Sequence, residues 1–279
     1  MKLIIESGAT KSDWRLIDDR GVQMARELAG GMNMSTMEMS AIEAILNDTG
    51  RKIKLAASEE VSAVHFYTAG VMTESADALL RNILGGLFEG AEIELQTDLV
   101  AAARAVCGRK PGIAAILGTG SNSCQWDGTR ITRNVCSGGF ILGDEGSAAA
   151  LGKLFLADLL KGLVPEPIAA DFASRYDASY AGIVENVYRS QSPSAYLGSL
   201  APFIMEHYNN TYIKSLVESN IRAFFKRCIN RYGENLPVGF VGGFGYALKD
   251  IVLNIAREEG VTISCFLQCP IDGLIQYHI

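Results

Sequence analysis

Two glycine-rich turns contain the first residues in this sequence whose types suggest chemistry. Residues 8–12 read Gly-Ala-Thr-Lys-Ser and residues 118–121 read Gly-Thr-Gly-Ser, and each turn follows a short apolar run. Turns of this composition present backbone N–H groups and hydroxyls with little side-chain bulk, so an anion can approach the main chain closely. One such turn is typical of a plain hairpin. Two in equivalent places of two half-chains predict that both hold one triphosphate, with further contacts from Lys11 or Ser12.

A third glycine cluster lies where the apolar run of residues 238–241 leads into Gly242 and Gly243. A strand that ends in two glycines at the start of a helix lets a flat ring lie against the backbone, and neighbouring aromatic side chains can shape a pocket. The alternative is a helix-capping turn whose aromatic side chains belong to the core. Taken with the two other turns, the cluster predicts a site for a flat ring.

Acidic residues at two predicted helix starts are candidate ligands for a small polar molecule. Asp144 and Glu145 stand among the glycines of residues 138–147, just before an apolar helix. Capping explains one carboxylate there, but the extra glycines suit a backbone that passes close to a ligand. Asp98 follows a strand and begins an alanine-rich helix, where an N-cap is the ordinary explanation. In an open α/β sheet, however, ligands also bind at the carboxyl ends of strands.

The composition argues against several other classes of protein. The chain has 25 basic and 31 acidic residues, a formal net charge of -6, whereas affinity for nucleic acid depends on clustered Lys and Arg. Neither a GxxxxGK[ST] loop nor a GxGxxG that opens a helix occurs, so P-loop and Rossmann sites lose their main support. The cysteines form no CxxC pair and the histidines share no metal-ligand spacing. We interpret the cysteines as reduced, mostly buried thiols.

The sequence predicts neither an export signal nor a membrane segment. Too few apolar residues precede Glu6 for the core of a signal peptide. No later stretch approaches the roughly 18 to 20 apolar residues that span a bilayer. We therefore expect a cytoplasmic protein that binds neither membrane nor nucleic acid. The oligomeric state stays open, with a homodimer among the possibilities.

The elements around these residues alternate between short apolar runs and longer helical patterns, which is typical of an α/β protein. Ser35 and Glu38 form a capping box for a helix through Ile45. Both half-chains open with a strand, a glycine-rich turn and a second strand, so we predict two similar domains, 1–104 and 105–279, near a set of helix-stop signals. The predicted strands are residues 2–5, 14–17, 61–67, 93–96, 113–117, 124–126, 238–241 and 262–266.

With these motifs in order, the chain resembles the BadF/BadG/BcrA/BcrD-type ATPase family, and within it the N-acetylglucosamine kinase branch of the sugar kinase, Hsp70 and actin superfamily. The resemblance extends over nearly the whole length. Residues 6–12 resemble the family's first phosphate motif, DGGGTKT, residues 117–121 resemble its second, and residues 143–147 match GDEGS. The other similar segments are residues 30–33 (the sugar-contact motif GGxN), 97–98 (the connecting TD), 242–243 (the adenosine motif) and 270–275 (the closing PxxGL).

The resemblance implies two ribonuclease-H-like, actin-like ATPase domains with a central cleft that closes over ATP, Mg²⁺ and an amino sugar. It implies in-line phosphoryl transfer, in which the protein contributes mainly positioning and charge stabilisation. Asp98 would be the general base, and Glu6 would orient the hydrated metal. The residues implied to bind the sugar are Asn33, Asp98, Gly139 and Asp144. The residues implied to bind ATP are Gly8, Thr10, Lys11, Ser12, Gly118, Thr119, Gly120, Ser121, Gly242 and Gly243.

Two departures from the family pattern concern the metal and the sugar. The Asp of the first motif is Glu6 here, one methylene longer, and two of its glycines are Ser7 and Ala9. Mg²⁺ tolerates misplaced ligands poorly. A Trp that is common before the second glycine of the sugar loop is missing, because residues 137–139 are Ser-Gly-Gly. The sugar could therefore differ from N-acetylglucosamine.

Two other functions compete with the kinase. An activating ATPase of an acyl-CoA dehydratase or reductase belongs to the same broad family but uses a cysteine-ligated iron–sulfur cluster, and the GDEGS segment stands against it. A catalytically weak sugar or nucleotide sensor would explain the altered first motif.

Overall fold

The computed structural model describes residues 1–8, 11–34, 37–70, 73–190, 192–233 and 235–279. Within these residues the chain divides into two units. The first comprises Met1–Lys110, Asp127–Ile131 and Cys269–Ile279, and the second comprises Pro111–Trp126 and Thr132–Gln268. The division differs from the expected 1–104 and 105–279 because the last helix of the chain packs on the first unit.

The first unit is a mixed sheet with helices on both faces. Its strand order is β3-β2-β1-β4-β5, in which β1 pairs antiparallel with β2 and parallel with β4, and β4 pairs parallel with β5. The strands are β1 (Lys2–Ser7), β2 (Lys11–Ile17), β3 (Gln23–Gly30), β4 (Ala63–Thr68) and β5 (Glu92–Thr97). The helices are α1 (Met39–Ala56), α2 (Glu74–Leu87), α3 (Asp98–Cys107) and, from the end of the chain, α13 (Ile271–His278).

Side-chain alternation along β1 explains why this sheet is covered on both sides. Leu3 and Ile5 point into a core shared with α1 and α2, whereas Ile4 points into a second core shared with Ala101 of α3 and Leu274 of α13. All five of these side chains are fully buried, and successive strand residues face opposite sides of a sheet. The strand ends of β1, β4 and β5 are thereby held between two packed layers.

The second unit repeats this topology. Its strand order is β10-β9-β6-β7-β8, with β6 antiparallel to β7 and parallel to β9. The strands are β6 (Gly112–Leu117), β7 (Ser121–Trp126), β8 (Ile131–Asn134), β9 (Val238–Val241) and β10 (Ile263–Leu267). The helices are α4 (Gly139–Leu142), α5 (Ala148–Leu159), α6 (Glu166–Arg175), α7 (Tyr180–Tyr188), α8 (Pro193–Ser199), α9 (Ala201–Glu206), α10 (Thr211–Arg227), a 3₁₀ turn (Ile229–Arg231), α11 (Gly243–Ala247) and α12 (Lys249–Glu258).

The repeated strand order confirms the predicted fold class. In both sheets the central strand pairs antiparallel with the strand that follows it in the chain and parallel with a later strand on its other side, as in the ribonuclease-H-like arrangement that the resemblance implied. The predicted start of α1 differs from the structure. The helix begins at Met39 with Glu38 as its N-cap, no side chain caps it, and it continues to Ala56. Ser35 lies outside the described residues. In the described part of the chain, no helix is both long and apolar enough to cross a bilayer.

A polar cluster fastens α13 to the first unit. The Tyr67 hydroxyl lies 2.7 Å from His278 Nε2 and accepts a hydrogen bond of 2.6 Å from Arg104. The His278 ring stacks on that of His65 with 3.6 Å between centroids, and Glu94 pairs with both His65 and Arg104. Burial, followed by the charges of His65 and Arg104, lowers the pKa of His278 to about 3.

Acid should therefore loosen this cluster. The folded-state pKa of His278 lies below its ordinary value of about 6.5, so the unfolded chain binds the extra proton as pH falls below about 6.5. The stabilisation is complete above that pH and is progressively lost below it. We expect the melting temperature to fall between pH 7.5 and pH 5 by less in His278→Gln than in the parent. His207→Gln, a histidine of the second unit, is the control; equal slopes in all three proteins would contradict the assignment.

Candidate functional site

The carboxyl ends of three parallel strands meet at one edge of the first sheet. In the strand register Ser7 pairs with Thr68, and Thr68 pairs with Thr97. Glu6 and Asp98 flank this row, and the two carboxylates are close enough to influence each other electrostatically. The structure thus brings together the two acids that the sequence selected from different motifs.

Asp98 is not the cap of its helix. The N-cap of α3 is Thr97, whose hydroxyl accepts a 3.3 Å hydrogen bond from the Val100 N–H, and Asp98 is the first helical residue. Burial raises the pKa of Asp98 to about 6, against the backbone N–H groups of Leu99 and Asp98 itself, which lower it. A carboxylate with this pKa is mostly ionised at neutral pH, yet it is more basic than an ordinary Asp. It is suited to accept a proton.

Glu6 has the donor chemistry for a hard divalent cation. Burial raises the pKa of Glu6 to about 7; Lys11 lowers it, and the charges of Asp98 and Asp13 raise it further. Asp13 is already paired with Arg15 at 2.6 Å and with Arg26 at 2.9 Å. Among the described residues, Glu6 and Asp98 are therefore the carboxylates of this edge that have no arginine as an ion-pair partner. Carboxylate oxygens are the ligands that Mg²⁺ prefers.

The first glycine turn is described only in part. Its Gly8 N–H donates to the Lys11 carbonyl over 3.0 Å, and the Lys11 side chain is exposed. Thr10, predicted to bind phosphate, lies outside the described residues. Ser12 is fully buried; its hydroxyl donates to the Gly30 carbonyl at 2.9 Å and accepts from the Trp14 indole at 3.0 Å. The only hydroxyl proton of Ser12 is thus used within the hairpin.

Two buried hydroxyls that sequence reasoning missed position the segment of Asn33. The Ser7 hydroxyl accepts a 2.7 Å bond from the Met32 N–H, and the Thr68 hydroxyl donates to the Met32 carbonyl at 2.7 Å. Asn33 then bridges to Ala69, just beyond the end of β4. The predicted sugar ligand Asn33 is therefore held at the same sheet edge as Glu6 and Asp98. No sequence signal links Met32 to two hydroxyls from separate strands.

The second glycine turn presents backbone donors. The carbonyls of Gly118 and Thr119 each accept a 3.0 Å bond from the first N–H groups of α5, at Ala148 and Ala149. The Gly118 N–H donates to the Gly120 carbonyl at 2.9 Å. Within the described residues the N–H groups of Thr119 and Gly120 have no acceptor. Such free N–H groups on a glycine turn suit a phosphate oxygen.

The glycine pair after β9 lies against this turn. Gly242 has φ 122°, and a Cβ there would come within 2.3 Å of the Leu117 carbonyl oxygen and 3.2 Å of the Gly118 nitrogen. A side chain at Gly242 is excluded by the protein itself. A Cβ on Gly243 would meet nothing within 4 Å. The structure therefore joins the predicted phosphate turn and the predicted ring site through one close backbone approach.

Asp144 connects its loop to the same turn. It is 8% exposed, and its Oδ1 accepts a 3.3 Å hydrogen bond from the Ser121 N–H. Burial raises the pKa of Asp144, opposed by the Ser121 N–H and assisted by the charge of Glu145. A Cβ on Gly120 would lie 3.0 Å from Asp144 Oδ2, so a larger residue there would press on this carboxylate. Ser121 thus contributes its N–H to Asp144.

Gly139 occupies the start of the same loop. It has φ 67°, and its carbonyl accepts a 2.8 Å bond from the Gly143 N–H. A Cβ on Gly139 would meet no atom within 4 Å. The space beside Gly139 is therefore free of protein atoms, and its contact with a sugar stays a prediction.

Comparison with solved structures identifies the family. The chain is 38% identical to a candidate N-acetylglucosamine kinase from Porphyromonas gingivalis, with a TM-score of 0.93 over 100% of this chain and 98% of that one. The chain belongs to the N-acetylglucosamine kinase-like family. This confirms the resemblance that its motifs indicated.

More distant solved structures share the fold. A second candidate N-acetylglucosamine kinase, from Chromobacterium violaceum, is 20% identical with a TM-score of 0.76 over 100% of this chain and 99% of that one. A ROK family glucokinase from Streptomyces griseus, solved with glucose and AMPPNP, is 16% identical with a TM-score of 0.60 over 99% and 97% of the two chains. No protein-family model and no curated protein matches the chain.

Proposed function

We propose that this protein is an ATP-dependent sugar kinase that phosphorylates an amino sugar such as N-acetylglucosamine. The observation that carries the proposal is the Asp98 carboxylate, which does not cap its helix, is half-buried and is more basic than usual, at the carboxyl ends of the parallel strands of the first sheet. Membership of the N-acetylglucosamine kinase-like family supports it. In ligand-bound form, a more distant neighbour of the same fold holds a hexose and an ATP analogue.

Each unit contributes its own part of the proposed reaction. In the first, Asn33 holds the sugar and Asp98 accepts the proton of the attacking hydroxyl. In the second, Gly139 and Asp144 hold further sugar hydroxyls. The proposed nucleotide contacts are the N–H groups of Thr119 and Gly120, the backbone of Gly8, Gly118, Gly242 and Gly243, and the Lys11 ammonium. Thr10 stays in this set as a prediction from its motif, whereas the Ser12 and Ser121 groups described above serve the protein's own bonds.

The catalytic work of these residues is positioning and charge stabilisation. In-line phosphoryl transfer leaves little covalent chemistry to the protein. The Asp98 pKa near 6 matches the pH range in which a general base works best. Donors on the turn at Thr119 and Gly120 face growing negative charge on phosphate oxygens without reorganising.

Glu6 is the proposed magnesium-orienting residue. Its oxygen donors fit a hard cation, and its raised pKa shows that the carboxylate lacks a compensating positive charge of sufficient strength from Lys11. Mg²⁺ when bound would neutralise charge on the phosphates of ATP. The extra methylene of Glu relative to the family's Asp is expected to be tolerated, and Glu6→Asp should retain or increase turnover.

Magnesium dependence should change with pH through Glu6. Because the metal must displace a proton from a carboxyl with a pKa of about 7, the Mg²⁺ concentration for half-maximal turnover should fall as pH rises from 6 to 8, by up to about tenfold per unit below that pKa. Glu6→Gln should remove the part of this pH dependence that Glu6 causes. It should lower turnover strongly while changing the melting temperature little. ATP's own titration is common to both proteins and cancels in the comparison. Full activity in Glu6→Gln would reduce Glu6 to an acid at a strand end.

The proposed function is tested by coupled ADP release. The parent protein is assayed with ATP and Mg²⁺ against N-acetylglucosamine, glucosamine, N-acetylmuramic acid and glucose. Sugar-stimulated release above the sugar-free background supports a kinase and ranks its substrates. Release without sugar dependence would favour an activating ATPase, and binding without release would favour a sensor. The purified protein should also be colourless, since an iron–sulfur cluster belongs to the activating ATPases.

A further inference from the structure

One face of α10 packs against the loop that follows Asp144. Asn220, Phe224 and Arg227 recur at i, i+4 and i+7, so they share one side of the helix. A Cβ on Gly146 would come within 2.6 Å of the Phe224 Cβ, and the Arg227 guanidinium donates to the Glu145 carboxylate. None of these three side chains belongs to the set proposed to bind ATP or sugar.

Asn220 makes the most specific of these contacts. It is 3% exposed, its Oδ1 accepts a 3.0 Å bond from the Gly146 N–H, and its Nδ2 donates to the Ser147 carbonyl at 3.0 Å. These partners determine the amide orientation, because an N–H can only donate and a carbonyl can only accept. Both partners are backbone groups of the loop. A side chain without the acceptor would leave the Gly146 N–H unpaired in the protein interior, whereas the Ser147 carbonyl would keep the 3.1 Å bond that it accepts from the Leu151 N–H.

The loop of residues 144–147 holds Asp144 in the left-handed backbone region, which residues other than glycine seldom adopt. Asp144 has φ 55° and is the one non-glycine residue with positive φ in the described part of the chain. Gly146, two residues on, has φ 78°. A side chain in the left-handed region persists when surrounding contacts over-determine it. The two bonds of Asn220 and the contact of Phe224 supply that constraint from the far side of the loop.

The same loop is bonded to the phosphate turn. Asp144 accepts from the Ser121 N–H, and Ser147 caps α5 by accepting a 3.1 Å bond from the Ala150 N–H. The first two amides of α5, at Ala148 and Ala149, donate to the turn carbonyls of Gly118 and Thr119. A shift of Ser147 would therefore move the carboxylate of Asp144 and the free donors of the turn together.

We propose that Asn220 is a positioning residue that fixes the Asp144 carboxylate in place relative to the glycine turn of residues 118–121. It touches neither substrate and acts through the loop of residues 144–147. The inference rests on the proposed function only for its kinetic consequence. Its structural part does not depend on the proposed function: Asn220 bonds the Gly146 N–H and thereby maintains the bond from the Ser121 N–H to Asp144.

The experiment compares Asn220→Ala with Val217→Ala, which truncates a buried residue one turn earlier on α10. Both should lower the melting temperature, and both are assayed where they are fully folded. We expect kcat/KM for the sugar to fall at least about tenfold in Asn220→Ala, since a displacement of about 1 Å can cost a hundredfold, and to stay within about twofold in Val217→Ala. The KM for the sugar should rise as well, because Asp144 is a proposed sugar ligand. Equal kinetics in the two variants would overturn the positioning role.

Hydrogen exchange supplies a readout that needs no activity. The amides of Ser121 and Gly146 should exchange faster in Asn220→Ala than in Val217→Ala at matched stability. In Asn220→Asp the bond from Gly146 can persist while donation to Ser147 is lost, so its exchange and kinetics should lie between parent and Asn220→Ala. Unchanged exchange at both amides in Asn220→Ala would contradict the proposal. A parent without sugar-dependent ADP release would instead refute the proposed function and leave the exchange result to decide this inference.

Discussion

Asp98→Asn should lower sugar-dependent turnover at least about a hundredfold while the protein keeps its melting temperature. A positioned general base contributes typically about 10²- to 10⁴-fold, and Asn cannot accept the proton. The helix keeps its cap, because the cap is the Thr97 hydroxyl. Burial raises the pKa of Asp98 to about 6, so its ionised form opposes folding at neutral pH, and a neutral Asn should leave the melting temperature equal or slightly higher. Parent kcat/KM at saturating Mg²⁺ should rise with pH through about 6.

The matched control is Asp77→Asn, which makes the same chemical change in the first turn of α2. Asp77 pairs with Arg81 on its own helix, so its loss should cost a little stability and no turnover. Thr97→Ala separates the cap from the base in the other direction, with about 1 kcal/mol of stability lost. If Asp98→Asn turns over its sugar at nearly the parental rate, the base lies elsewhere, and Asp144 is the next residue to replace.

Gly242→Ala should weaken ATP binding more than tenfold. Its Cβ would be placed 2.3 Å from the Leu117 carbonyl oxygen, a backbone atom that cannot turn aside, and φ 122° is unfavourable for alanine as well. The turn must then move, and it carries the free N–H groups of Thr119 and Gly120. Overpacking of this kind typically costs about 1 to 3 kcal/mol, so the melting temperature should fall too. Isothermal titration with a non-hydrolysable ATP analogue measures the affinity.

Gly243→Ala is the control that tests for the ligand itself. Its Cβ would meet no protein atom within 4 Å, and it lies at the start of α11, so folding should be unaffected. A rise in the Kd of the nucleotide with unchanged stability would mean that the nucleotide approaches this backbone. Parental affinity in Gly242→Ala would remove the glycine pair and its turn from the nucleotide site.

Strong local patterns predicted the central strands, whereas one edge strand of each sheet, β3 and β8, left little trace in the sequence. The strands β1, β4 and β6 are buried apolar runs, and their positions follow from composition. β3 is an edge strand of mixed polarity (QMARELAG), and β8 has four residues (ITRN), so neither forms an apolar run. Pairing with a neighbour determines them, and that information lies in another part of the chain.

The candidate site shows the same limit. Asp98 was predictable as a site residue because it directly follows a strand. The sequence does not show whether Thr97 or Asp98 is the N-cap, because the two positions differ by one residue. The bond from the Val100 N–H to the Thr97 hydroxyl identifies Thr97 as the cap. Asn220 did leave a signal. It stands in the apolar stripe of Ile213, Val217 and Phe224, where a polar residue must find buried partners. What those partners are depends on a loop more than seventy positions earlier in the chain.

The return of the chain end to the first unit has a consequence for biosynthesis. Ile271, Leu274 and Ile275 complete a core whose other members, such as Ile4, Ile17 and Ala101, leave the ribosome much earlier. About 170 residues separate Ala101 from Ile271, and at about 5 to 20 residues per second their synthesis takes roughly 10 to 30 s. During that interval α3 covers only part of this face of the first sheet, and the area that α13 buries stays exposed while the second unit is translated. A nascent chain arrested before residue 271 should accordingly bind trigger-factor-type chaperones that the released protein does not.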